Sequence, residues 1–226
     1  MLTHGVKILY EDVDWWIIHK PAGVVSQRGK LLLPSVPDIL RAHLQNSVME
    51  SKGFVGIVHR LDTNVSGVMA VAKRPQAAKF FHHLLLQKQV FKEYRALVHS
   101  EALPVMSQCW IHKGVKVQQK LHCYSYFERL TGKSQKCKLE VEGLQAGKGL
   151  LLLRVQLITG VFHQIRAQCA AQGMPIVGDV KYGGAMSHYK HWMGLHAQRL
   201  SFKLRPGEPR QTFESPLPED IQRYLQ

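Results

Sequence analysis

The sequence predicts an α+β fold, and three observations carry that expectation. Phe91–Val98 alternates with the period of two that a strand shows, and Leu150–Ile158 is an apolar run that places Leu151, Leu153, Val155 and Leu157 on one strand face. The stretches from Pro75 to Leu86 and from Phe162 to Gly173 instead space their apolar residues for one face of a helix. Between them, Ser107 to Glu142 holds several short strand-like runs broken by Gly and Lys, as in an antiparallel region.

Taken in order, Ile8-Leu9-Tyr10 reads as a strand, Glu11 to Asp14 as an acidic turn, and Trp15 to His19 as a second strand. Lys20-Pro21-Ala22-Gly23-Val24 breaks the pattern, and Gly29 to Pro34 reads as a loop. Ser35, followed by Pro37 and Asp38, is placed to cap a helix running through Leu40, Leu44 and Gln45. Ile57 and Val58 end a strand, Val68 to Ala72 begin another, and Gly67 allows a turn between them.

The polar segment between those strands, His59 to Ser66, holds Asp62 on a connection with rigid flanks, a common way to present a reactive side chain. Asp, Asn and Ser also make ordinary turns, so the residues alone leave both readings open. After Pro75 at a helix start, Ala78, Phe81, Leu85 and Leu86 supply the apolar stripe. In Phe91–Val98, Tyr94 shares a face with Ala96 and Val98.

Gln108–His112, His122–Glu128 and Lys136–Val141 are the strand-like runs of the middle region. Lys113, Lys116, Lys120, Lys133, Lys136 and Lys138 there serve either a polyanion or simply the solvation of strand edges. Leu151, Leu153, Val155 and Leu157 form the apolar face of the next strand. Thr159-Gly160 then begins a helix that buries Phe162, Ile165 and Cys169 and ends at Gly173, with Arg166 one turn after His163.

Composition narrows the function classes. The chain has 226 residues, 45% of them hydrophobic, enough for a substantial core. No apolar run reaches the roughly 18 residues of a membrane span, and Glu11, Asp12 and Asp14 fall where a secretion signal needs apolar residues. Thirty Lys and Arg against 16 acids give a net charge of +14, which points to a polyanionic partner. Cys109, Cys123, Cys137 and Cys169 form no Cys-x-x-Cys pair and read as reduced packing thiols. The 13 histidines are scattered, and no metal site is expected.

Several motifs occur in one order: Ile-Leu-Tyr-Glu-Asp with Lys-Pro-Ala-Gly; His59-Arg60-Leu61-Asp62 with Ser66-Gly67-Val68; and Lys92-x-Tyr94-x-Ala96-x-Val98. They are followed by Thr159-Gly160-x-x-His163-Gln164-Ile165-Arg166, Gly178-Asp179-x-x-Tyr182-Gly183-Gly184, Leu195–Phe202 and Phe213–Pro218. Together they resemble the RluA-type RNA pseudouridine synthases along essentially the whole chain. The resemblance implies a long, mainly antiparallel bent sheet with flanking helices and a central cleft. It also implies a single catalytic domain over residues 1–226 with no N-terminal accessory RNA-binding domain.

By the same resemblance Asp62 is the catalytic carboxylate, Arg166 the cation that holds it, and Tyr94 the aromatic that abuts a flipped uracil. Arg60 binds substrate, entering the space the flipped base leaves. The expected partner is a structured tRNA or rRNA stem-loop, with no cofactor, metal or membrane, and the expected state is a cytoplasmic monomer. The chain departs from the family pattern at His19, Val65, Val161, Phe162 and Gln168. A non-catalytic RNA-binding or ribosome-assembly protein, a metal-dependent hydrolase and a DNA-binding protein are the competing readings. They are disfavoured by the retention of Asp62, Tyr94 and Arg166, by the lack of ligand spacing, and by the lack of a DNA-reading motif.

Overall fold

Eleven strands and four α-helices form among the residues that the computed structural model describes: 2–29, 33–45, 53–100, 108–117, 120–125, 135–147 and 149–226. For 108–117, 120–125, 135 and 145–147 only the backbone is described. In chain order the elements are β1 (Lys7–Glu11), β2 (Trp15–Lys20), α1 (Val36–Gln45), β3 (Gly56–Ile57), β4 (Ser66–Ala72), α2 (Pro75–Leu86) and β5 (Phe91–His99). They continue with β6 (Gln108–Val117), β7 (Lys120–Ser125), β8 (Gln135–Gly147), β9 (Leu150–Leu157), α3 (Gln164–Ala171), β10 (Leu195–Lys203), β11 (Arg210–Glu214) and α4 (Glu219–Leu225). Residue contacts divide the chain into two units, Met1–Phe91 with Ala197–Pro216, and Lys92–His196 with Leu217–Gln226.

In the first unit the strands run in the order β1-β2-β4-β10-β11, and β3 adds two residues to β4. β1 and β2, β2 and β4, and β10 and β11 pair antiparallel. Trp15 to Ile18 of β2 and all of β4 are buried without alternation, the mark of strands covered on both faces. Trp15, Phe81 and Phe202 pack as a triangle with ring centroids 5.0 to 5.8 Å apart, and the Trp15 indole N–H donates to the Leu204 carbonyl at 3.0 Å.

The second unit orders its strands β5-β9-β8-β6-β7, each neighbour antiparallel. The middle region thus has the antiparallel character its sequence suggests. The run His122–Glu128 passes beyond the described residues after Ser125, as does Lys133, and the side chains of Cys109, Cys123, Lys113, Lys116 and Lys120 lie outside them too. Tyr94, Ala96 and Val98 of β5 and Leu151, Leu153 and Val155 of β9 are buried. Cys137, Ala167 and Tyr182 form a small buried cluster with Val161 and Ala170.

Four local expectations need adjustment. Helix α2 buries Ala77, Phe81 and Leu84, an i, i+4, i+7 row, and leaves Leu86 exposed. The helix expected from Thr159 begins only at Gln164. His163 adopts a left-handed φ of 54°, and the Gln164 side chain accepts from the Val161 N–H (3.1 Å) and the Thr159 hydroxyl (2.9 Å), holding 159–163 as a loop. The expected strand at Ile57 is two residues long and half-buried. Gly67 lies within β4 rather than at a turn, with φ +126°, where an added Cβ would collide with the Ala197 backbone.

Candidate active site

Two neighbouring segments of the first unit build the surroundings of Asp62. The turn itself closes with the Val65 N–H donating to the Asp62 carbonyl at 3.0 Å, so Asp62 stands at its start, half-buried. Below it, the Ser26 hydroxyl donates to the Leu61 carbonyl (2.6 Å) and accepts the Leu61 N–H (2.9 Å). The Gly23 N–H donates to the Thr63 carbonyl at 2.9 Å. His59 accepts the Ala70 N–H on Nε2 at 2.9 Å and stacks on Phe81, which fixes the other end of the segment to β4 and α2.

The fourth anchor is Lys20, which has no exposed surface. Its ammonium donates to the carbonyls of Pro21 (2.9 Å), Val24 (2.8 Å) and Thr63 (3.3 Å), three acceptors for three N–H groups. Burial pushes its pKa down to about 7, while the nearby Asp62 carboxylate pulls it back up. The Lys-Pro-Ala-Gly segment and the His-Arg-Leu-Asp segment, which start 39 residues apart at Lys20 and His59, are therefore parts of one assembly. Neither Lys20 nor Ser26 stands out as a site residue in the sequence alone. The signal was present, since Lys20 opens a quoted motif, but only the fold shows what it grips.

Arg60 is exposed and, among the described residues, makes no hydrogen bond or ion pair. The surface ion pair that would be its ordinary use is not formed there. Val65, where the family pattern carries a polar residue, is buried in the core of this loop. His19 donates or accepts at Nδ1 with the Ser215 hydroxyl at 2.6 Å, and burial together with Lys7 and Lys20 lowers its pKa to about 4.

In the second unit the Arg166 guanidinium is buried, and Asp179 grips it bidentately, Nε to Oδ2 at 2.6 Å and Nη2 to Oδ1 at 2.7 Å. Nη1 meets His163 Nε2 at 3.1 Å, His163 Nδ1 meets the Tyr182 hydroxyl at 3.1 Å, and the guanidinium lies 5.0 Å from the centroid of the Tyr182 ring. These contacts join the His-Gln-Ile-Arg and Gly-Asp-x-x-Tyr motifs into one cluster. Gly184 is part of its scaffold, since a Cβ there would strike the Ile176 carbonyl just before Asp179. Asp179 and Tyr182 are further residues to which the sequence reading assigned no role.

Phe162, one of the departures from the family pattern, stacks on His163 with centroids 3.7 Å apart. Gln168, another, is buried and accepts from Gln164 Nε2 at 2.9 Å. Tyr94 is buried on β5, opposite Val155 of β9. The first unit thus carries Asp62 and Arg60, the second Tyr94 and Arg166. Among the described residues no group of three or more His, Cys, Asp and Glu is arranged to hold a metal ion.

A family model for RNA pseudouridylate synthases matches residues 14–171. The chain is 33% identical, over 98% of its length and 72% of the relative's, to a Bacillus subtilis protein named uncharacterized RNA pseudouridine synthase YlyB. It is 31% identical, over 97% of its length and 69% of the relative's, to Escherichia coli ribosomal large subunit pseudouridine synthase C. Among solved structures, human RNA pseudouridylate synthase domain containing 4 shares the fold, with a TM-score of 0.80 over 96% of this chain and 91% of that one at 22% identity. A family match that runs from β2 through α3, together with relatives alike over nearly the full chain, identifies this protein as a member of the RNA pseudouridylate synthase family, an isomerase of uridines in RNA.

Proposed function

We propose that the chain isomerises one or more uridines of large-subunit ribosomal RNA, with Asp62 as the catalytic carboxylate. The substrate choice draws on the names of relatives such as the large-subunit synthases C of Escherichia coli and D of Buchnera aphidicola, matched over 97% of this chain. The role of Asp62 is supported above all by its seating: a half-buried carboxylate on a turn tied down through Leu61, Thr63 and His59. Such a loop holds a reacting group in one geometry without reorganisation.

The reaction breaks the bond from ribose C1′ to uracil N1, turns the base, and joins C1′ to C5. The proton lost from C5 is balanced by one gained at N1, so nothing is oxidised, reduced or added. The target base must leave its stack for C1′ and C5 to be reached. Arg60, exposed and without a partner among the described residues, suits the vacated space or an adjoining phosphate. Tyr94 offers the base an apolar face, and Arg166, whose guanidinium Asp179 orients, is by the family resemblance the cation assigned to the catalytic carboxylate.

Carbodiimide-dependent reverse-transcription stops on total RNA, from cells with and without the gene, test the proposal. A large-subunit site lost on deletion, restored by the unaltered protein and not by Asp62→Asn, is the expected result. Asp62→Asn should abolish turnover while leaving RNA affinity within about twofold. A lost site in transfer RNA would move the substrate and keep the chemistry, and full activity of Asp62→Asn would remove the carboxylate from its role.

A further inference from the structure

Among the described residues, Lys20, buried, and Lys92, half-buried, differ in one respect. Lys20 has three carbonyl acceptors. Lys92, half-buried at the start of β5, has no hydrogen bond or ion pair among the described residues. Its sequence neighbour Glu93 lies on the opposite face of the strand and pairs with Arg95 there, Oε1 to Nη1 at 2.6 Å. Burial lowers the Lys92 pKa to about 8. An ammonium taken partly out of water without a counter-charge is a cost that folding alone does not recover.

The position of Lys92 gives that cost a use. In a strand, residues two apart point to the same side, so Lys92 shares its face with Tyr94, Ala96 and Val98. The separation of Lys92 from Tyr94 along β5 is about 6.6 Å, a span comparable to that between a nucleotide's base and its own phosphate. We propose that Lys92 is a substrate-binding residue whose ammonium takes a phosphate of the nucleotide that Tyr94 abuts. The proposal rests on the reading of Tyr94 given above. It adds an anion site at the edge of the uracil site, filled only when RNA is bound, and it gives a use to a lysine that has no acceptor among the described residues.

The test compares Asp62→Asn, which binds without turning over, with the double variants Asp62→Asn/Lys92→Met and Asp62→Asn/Lys92→Arg. The probe is an unmodified in vitro transcript of large-subunit ribosomal RNA, and affinity is measured from about 50 to 200 mM salt. Losing one phosphate contact should reduce the slope of log affinity against log salt by about 0.7 to 0.9. Lys92→Met should show that loss and Lys92→Arg should not. In the active background Lys92→Met should raise KM several-fold with a smaller change in kcat.

An unchanged slope in Lys92→Met, with an unchanged melting temperature, overturns the contact. If Lys92→Met does not fold, Lys92→Gln gives the same reading. Turnover of the same transcript by the unaltered protein is followed in parallel. Product formation together with an unchanged slope removes the Lys92 contact alone, whereas absence of both product and binding removes the underlying reading and the contact with it.

Discussion

A lysine with no exposed surface and three carbonyl acceptors cannot be shortened without leaving backbone oxygens unpaired beneath the Asp62 turn. Lys20→Met should cost about 2 kcal/mol through those orphaned carbonyls, a fall in Tm of about 4–8 °C for a chain of this size. It should also slow turnover, because Thr63 is the residue next to Asp62. Calorimetry and single-turnover kinetics on the same preparation check both effects. His19 titrates in a different way. Its folded pKa of about 4 lies below the 6.5 of the free side chain, so the unfolded chain takes up the proton first. The stability that depends on neutral His19 is complete above pH 6.5 and is lost as the pH falls from there through about 4. A His19→Asn variant should therefore lose less Tm than the unaltered protein between pH 7 and pH 4.5, in thermal melts recorded across that range.

Helix α3 shows how much an element depends on residues outside it. Its third residue, Arg166, is held by Asp179, which lies on the segment after the helix, and by His163, which lies just before it. Asp179→Asn should leave a buried guanidinium without its counter-charge. The expected loss is about 3 kcal/mol, with a drop in kcat larger than any change in KM; Asp179→Glu should recover part of the rate. A kcat unaffected by Asp179→Asn, in protein that melts normally, would show that the pair does not serve the reaction. The same helix marks what the sequence could reveal. Arg166 was legible as part of the His-Gln-Ile-Arg motif that carries the family resemblance. The late start at Gln164 was not, because it follows from a side chain folding back onto Val161 and Thr159 and from a left-handed histidine, neither of which leaves a periodic trace. For α2 the apolar residues were visible, but which of two overlapping stripes faces inward is decided by Trp15 and Phe202, distant in sequence.

On the scale of the whole molecule, motifs were easier to read than their assembly. The alternation in β5 and β9 and the cap on α1, where Ser35 Oγ meets the Asp38 N–H at 3.3 Å, follow from local chemistry. The partition into two units does not, because two of its three boundaries fall inside β5 and β10, where an unbroken strand pattern hides them, and only the third, at Pro216–Leu217, falls in a Pro-containing connection. Lys20 and Asp179 had the same obscurity: each stood in a quoted motif, yet each acts on a partner from another segment. The close approach of Gly67 to Ala197 carries this further, into biosynthesis. The strand that follows the Asp62 turn leans on a backbone 130 residues later in the chain, the difference between positions 67 and 197. At about 5–20 residues per second, the ribosome takes roughly 6–26 s to make that stretch. Until then the nascent chain holds Asp62 on a turn whose supporting strand lacks its neighbour, so the loop reaches its final form only after Ala197 has been made.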